Sequence, residues 1–293
     1  MRRHFSIVKA TALEILSEPL SLLILMSALL LSIFASAFHY HQFGDPTRMS
    51  RDAALSVMML GGLPFVVFAA VRSLRREIES STVQMVLVRP VSRGGFFISK
   101  CVGIAAAYFL FALTVAFNTL AVVRGAEIGG DIVEKTGGIA KIWGPSLAFS
   151  TASVIVPLLL AAVLNRFASF RFVLTAILLM PLFALAAALY RFNPALAARF
   201  LPVVFTSGVP AIVFLAVSAA AAVRLKANQA VSLSFLLILF SLPALGNYYL
   251  SEALAKGGSM EGAYAFWALL AALPAVAAAL LSGVYLMNSK DVA

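Results

Sequence analysis

Arg72, Arg75, Arg76, Glu77, Glu79, Arg89, Arg93 and Lys100 crowd the stretch from residue 72 to 103, RSLRREIESSTVQMVLVRPVSRGGFFISKCVG, between two long apolar runs. Each of its six basic side chains would cost about 2.5–3.5 kcal/mol at the centre of a membrane-spanning helix. The stretch must therefore face water or a partner. Leu74, Ile78 and Met85 form one apolar stripe at helical spacing, and Arg75 and Glu79 stand i to i+4 on the other side. Such a pair contributes only about 0.2–0.5 kcal/mol, so its use is orientation rather than stability. Pro90 ends the helix, because proline lacks an amide donor and disfavours helical geometry in the residue before it. Ser92 can then cap the next helix by accepting a free backbone amide.

Chemistry of other kinds finds little to work with. No phosphate-binding G-x-x-x-x-G-K-[S/T] loop occurs, and no soluble segment is large enough for a nucleotide fold. His39 and His41 flank Tyr40, and residues two apart on a helix do not share a face; His4 is remote in sequence. Cys101 is the sole cysteine, which rules out an intrachain disulfide or a thiolate cluster. The apolar runs hold no Asp, Glu, Lys or Arg in their interiors, whereas proton-coupled carriers rely on intramembrane acids or histidines. Lys100 lies near a run's end, from which a long side chain reaches the interface.

The 293 residues are 62% hydrophobic and 12% charged, with a mean hydropathy of +1.00. A soluble domain needs more charge to cover itself. Apolar runs of about 20 residues match the hydrocarbon thickness. The fold class is all-α, a polytopic helical bundle forming one domain over residues 1–293. The net charge of +10 is spread over short loops without an aromatic-interleaved patch, which excludes nucleic acid as a partner and fits the positive-inside rule. Residues 1–18 read as an amphipathic helix in the membrane interface, with Phe5, Val8, Ala12 and Ile15 on the apolar face and Lys9, Glu14, Ser17 and Glu18 mostly elsewhere. Glu14 and Glu18, and the length of the segment, argue against a cleaved signal peptide despite Ala35-Ser36-Ala37. Pro19 marks the junction with the first span.

Eight spans are predicted: Leu20–Phe38, Ala53–Val71, Phe97–Val123, Pro145–Leu164, Phe172–Tyr190, Leu201–Val223, Val231–Leu250 and Ala263–Met287. This assignment puts most lysines and arginines inside and both termini in the cytoplasm. The alternative has six spans, with Leu201–Leu250 forming broken or re-entrant helices around Pro202, Gly208, Pro210 and Pro243; it would move Arg224 and Lys226 outside. Gly61, Gly62, Pro64, Pro157 and Pro181 are expected to serve helix packing and kinking, and Ala219–Ala222 and Ala275–Ala279 close helix contact. Asn118, Asn165 and Asn247 are amides in or beside spans, where hydrogen bonding to a neighbouring helix is the ordinary role.

The order Glu77, Glu79, Ser81, Thr82, Leu87, Pro90, Val91, Ser92, Arg93, Lys100, Gly103 resembles a pattern of the permease subunits of type-2 ABC transporters: E-x-E-x-G-T, a leucine-containing turn, P-V-S-R and a later K-x-x-G. Ser81 departs from it, standing where glycine is common. The resemblance implies a non-catalytic permease of an ATP-driven transporter, an exporter, in the bacterial plasma membrane. It implies a second permease copy or homologue as partner, and separate ATP-binding cassette subunits that carry ATP and Mg, with no cofactor in this chain. It further implies that residues 72–93 are a cytoplasmic coupling helix and hinge, with Arg75, Glu77, Glu79, Thr82, Pro90, Ser92 and Arg93 at the ATPase. Asn165, Arg166 and Arg171 would be a second cytoplasmic contact. The residues alone leave open a membrane anchor that recruits a cytoplasmic protein, or an ion-coupled carrier with broken helices around Pro202–Pro210.

Overall fold

A computed structural model describes residues 2–37, 48–79, 92–136, 145–190, 192–241 and 262–289. Among the described residues every regular element is helical: α1 Arg2–Leu16, α2 Pro19–Ala37, α3 Arg48–Glu79, α4 Arg93–Thr136, α5 Pro145–Ala168, α6 Phe172–Leu189, α7 Pro194–Ser207, α8 Val209–Arg224, α9 Ala227–Ser241 and α10 Gly262–Ser289. Among the described residues five segments are long and apolar enough to cross a membrane: Ser56–Glu79, Arg93–Arg124, Ala148–Ala168, Phe172–Leu189 and Ala272–Ser289. A sixth arises if α1 and α2, bent by 65° at their junction, count as one.

The bend falls at Ser17-Glu18-Pro19, where proline offers no amide to continue α1. Ser21 Oγ closes the corner by donating to the Ile15 carbonyl at 2.7 Å. The charged stretch differs from the expected separate helix: residues 72–79 are the last two turns of α3 itself. Ser92 does cap α4, its Oγ accepting the Gly95 amide at 3.1 Å. Ser81, Thr82, Met85, Leu87, Pro90 and Val91 lie outside the described residues, as do His39, His41 and Asn247.

α4 is the axis around which the others pack. Asn118, wholly buried, donates from Nδ2 to Ser32 Oγ of α2 at 2.9 Å and accepts at Oδ1 from Ser153 of α5 at 3.2 Å. One amide thus ties three helices through interior where no water competes. Phe65 and Phe111 stack at 5.2 Å between α3 and α4, and Gly61 leaves room for the Phe111 ring. Tyr108 fits between Gly62 and Gly208; a Cβ at either glycine would come within 3.0 Å of it.

The predicted span Leu201–Val223 is broken at Gly208 into α7 and α8. Pro210 cannot donate to the preceding turn, so the carbonyls of Phe205 and Thr206 accept the Gly208 amide instead. Phe172–Tyr190 and Ala263–Met287 keep close to their predicted limits as α6 and α10. Between α5 and α6 the chain turns within Ser169–Arg171, with Ser169 in the left-handed region at φ 54°.

The start of α4 meets the end of α10, where a Cβ on Gly94 would touch Val284 at 2.9 Å and one on Gly283 would overlap the Phe97 ring. Arg224, at the end of α8, donates to Ser289 Oγ at 3.1 Å. Arg224 and the neighbouring Lys226 therefore share one end of the bundle with Ser92 and Lys100. Cysteines introduced at Lys226 and Asn228 will react with a membrane-impermeant thiol reagent only from the side on which a cysteine at Ser92 reacts. Labelling from opposite sides would contradict this arrangement.

Candidate functional site

The ionic cluster at that end is built by three helices whose polar faces converge. α3 carries Arg72, Ser73, Arg76 and Glu77 in its final turns, α4 carries Lys100 two turns after its start, α1 brings Glu14 to its C-terminal end, and the corner after it brings Glu18. Lys100 is 2% exposed and sits at the centre. Its Nζ lies 2.7 Å from Glu77 Oε1 and 3.6 Å from Glu14 Oε2, and donates to Ser73 Oγ at 3.1 Å. The Phe96 ring lies 6.0 Å from the ammonium. Lys100 therefore turns inward instead of reaching for the interface. Two carboxylates and a hydroxyl from neighbouring helices replace the water it gives up.

Glu14 continues the network, its Oε1 standing 3.7 Å from Arg76 Nη1, and Glu18 Oε1 lies 3.1 Å from Arg72 Nε. Burial pushes the Glu18 carboxyl above its ordinary range, against the opposing pull of Arg72 and with a further rise from the Glu14 charge. Glu14, off the apolar face as its spacing predicts, and Glu18, in the corner after α1, both face cations of neighbouring helices. Of α1, Thr11, Ile15 and Leu16 are buried against the bundle, while Phe5, on the expected apolar face, is 70% exposed.

Gly103 completes the docking of α1. A Cβ there would meet Thr11 Cβ at 2.7 Å and the Val8 carbonyl oxygen at 2.8 Å, so only glycine lets the two backbones come this close. Lys100 and Gly103, one helical turn apart, thus share the face that receives α1: the first supplies charge, the second space. Near the amino end of α1, His4 Nδ1 lies 2.9 Å from Ser99 Oγ. The Ser99 hydroxyl hydrogen goes to the Gly95 carbonyl at 2.7 Å, so the histidine is the donor in the His4–Ser99 contact.

The predicted site residues divide. Glu77 is turned inward onto Lys100, while Glu79 is mostly exposed and pairs with Arg75 at 2.9 Å, as the i to i+4 spacing predicts. Ser92 is exposed and Arg93 half-buried at the start of α4. Thr82 and Pro90 lie outside the described residues. Asn165 and Arg166 are exposed in the last turn of α5, and Arg171 is exposed just before α6. Glu14, Glu18 and Ser73 belong to the cluster although sequence reasoning did not assign them. The available signal was a pair of acids in an interfacial helix preceding a stretch rich in arginine.

The family model described as "ABC-2 family transporter protein" matches residues 17–182, more than half of the chain. The chain belongs to that family. It is a membrane component of an ABC transporter, a permease with several apolar helices, and its family associates with ATP-binding cassette subunits. Neither the curated proteins nor the solved structures compared with it include a match. The matched region runs from Ser17, at the corner after α1, into α6. It spans the acids and bases of α3, Lys100 and Gly103, and leaves Glu14 of the permease just outside.

Removing one partner of a buried ion pair costs about 3–5 kcal/mol because the other charge stays behind, whereas removing both together is far milder. Lys100→Met will lower the thermal unfolding midpoint of the purified permease markedly. The double variant Lys100→Met, Glu77→Gln will recover most of that loss. Additive losses in the double variant would show that the two side chains do not act as a pair.

Proposed function

We propose that this permease is the transmembrane half of an ATP-driven exporter, working as a pair with a second copy or a homologous permease. Two ATPase subunits dock beneath the end that carries Lys100. ATP and Mg bind on those subunits, and this chain performs no hydrolysis. The observation that carries the reading is the ionic cluster of Lys100, Glu77 and Glu14, joined to Gly103. It fastens the end of α3, the start of α4 and the whole of α1 into one unit, so a push on the α3–α4 connection moves all three helices together.

Within that unit the two acids have separate roles. Glu79, 60% exposed, presents a carboxylate outward with Arg75 beside it, and is the group offered to a groove of the ATPase. Glu77 works inside as the brace on Lys100. Thr82, Pro90, Ser92 and Arg93 complete the set offered to the ATPase, Ser92 and Arg93 from the start of α4. The end so engaged is cytoplasmic, with both termini on that side, and the permease crosses the plasma membrane eight times. The proximity of Arg224 to Ser289 supports this topology, because the eight-span path returns the α8–α9 turn to the same side. α1 lies in the interface, held at its bend to α2.

Export follows from the family resemblance, and the apolar spans suit a lipid-like or hydrophobic cargo. Glu79→Arg reverses the outward charge without touching the Lys100 cluster. It will reduce copurification of the ATPase by about tenfold, or leave ATP hydrolysis running without transport, in a permease whose thermal midpoint is unchanged. Normal copurification together with normal coupling would overturn the assignment of Glu79.

A further inference from the structure

The cations at this end of the permease differ in their partners. Arg72, Arg75, Arg76 and Lys100 each have a carboxylate within 4 Å. Arg166 and Arg171, at either side of the α5–α6 turn, have no carboxylate partner among the described residues, and residues 145–192 contain no Asp or Glu at all. Between these two residues in the chain come Phe167, 84% exposed, and Phe170, 55% exposed. Two phenyl rings left in water at the tip of a tight turn would each forfeit the burial that aromatic side chains normally obtain.

Position decides what covers them. α5 and α6 are both apolar enough to cross the membrane, and only Ser169–Arg171 separate them, so the turn cannot rise far above the bilayer surface. α1 lies beside it, since Leu16 and Ile177 of α6 line the same small cavity. α1 in turn exposes Phe5 and Lys9, a second ring and cation on this end of the bundle. Apolar rings beside cations that have no carboxylate partner among the described residues, level with the ends of spanning helices, match the layering of a bilayer with acyl chains below and anionic phosphates above. A cleft in the ATPase would have to bury two phenyl rings and supply acids in a space bounded by the membrane itself.

We propose that the α5–α6 turn is a docking surface for anionic phospholipid. Arg166 and Arg171 hold the headgroup phosphates, and Phe167 and Phe170 insert among the upper acyl carbons. The turn thereby anchors α5 and α6 to the inner leaflet while the Lys100 unit moves against them. This takes Arg166 and Arg171 away from the role of second ATPase contact implied by the family resemblance.

The test is native mass spectrometry of the full permease with its ATPase, titrated with phosphatidylglycerol or phosphatidylcholine in a neutral detergent. Phosphatidylglycerol should be retained in preference to phosphatidylcholine. Arg166→Gln with Arg171→Gln should weaken its retention about 25-fold, about fivefold for each arginine near an anionic surface. Phe167→Ser with Phe170→Ser should weaken retention of both lipids, and Arg166→Lys with Arg171→Lys should preserve the preference. All of these side chains are exposed, so the thermal midpoint in lipid-free detergent should not move. Equal retention of phosphatidylglycerol by the wild type and the double glutamine variant would overturn the proposal. Displacement of the lipid by inorganic phosphate at equal concentration would put a soluble anion there and overturn it as well. Loss of the ATPase from the glutamine variant, with lipid retention unchanged, would return the surface to the ATPase.

Discussion

A single ammonium group buried between carboxylates of two other helices organises this permease. Lys100 gives up its water near the end of a membrane helix, and the structure makes that tolerable only by bringing Glu77, Glu14 and Ser73 to it. A buried ion pair gains little net stability over an apolar contact, yet it is costly to break one side of it. It therefore acts less as glue than as a constraint on register. α1, α3 and α4 can pack in the one arrangement that satisfies all three charges. Gly103 enforces the same arrangement sterically, because α1 reaches Lys100 only where the α4 backbone carries no side chain.

From that constraint the rest of the bundle follows in two layers. Near the cluster the contacts are ionic and the helix ends are capped, which makes a rigid block continuous with the stretch that leads out of α3. Farther along α4 the contacts become small and polar inside an apolar surround, with Asn118 bridging Ser32 and Ser153 and with Tyr108 between two glycines. Hydrogen bonds of this kind hold neighbouring helices without the tight interlock of charge. The α5–α6 hairpin and α10 present much of their surface outward as leucine, phenylalanine, alanine and tyrosine. The permease is thus held by charge at the Lys100 end and by small polar and aromatic contacts farther along α4.

Local features were legible in the sequence and nonlocal ones were not. The Ser92 cap, the Arg75–Glu79 pair and the limits of α6 and α10 depend on neighbours a few residues away, and spacing alone places them. The partners of Lys100 come from helices far apart in the chain, and no periodicity links Glu14 to Lys100. Helical phase also matters. Glu77 and Glu79 are two positions apart and so face different directions, but which of them faces the bundle depends on where α4 and α1 lie. Pro202, Gly208 and Pro210 signalled a break or a kink, and the packing of Tyr108 against Gly208 marks where it falls. The resemblance to ABC transporter permeases rested on the α3–α4 stretch, and the family match covers that stretch and most of the helices packed on it.

The Lys100 cluster and Gly103 together require α1 and α4 to move as one body in any rearrangement of the bundle. Electron–electron distance measurements between spin labels at Lys9→Cys, Ile98→Cys and Phe170→Cys, in a Cys101→Ala background with the ATPase bound, test it most directly. Between the nucleotide-free and ATP-trapped states, the Lys9–Ile98 distance should stay constant while both change relative to Phe170. A Lys9–Ile98 distance that changes as much as the others would contradict the account, as would three distances that stay fixed during active hydrolysis.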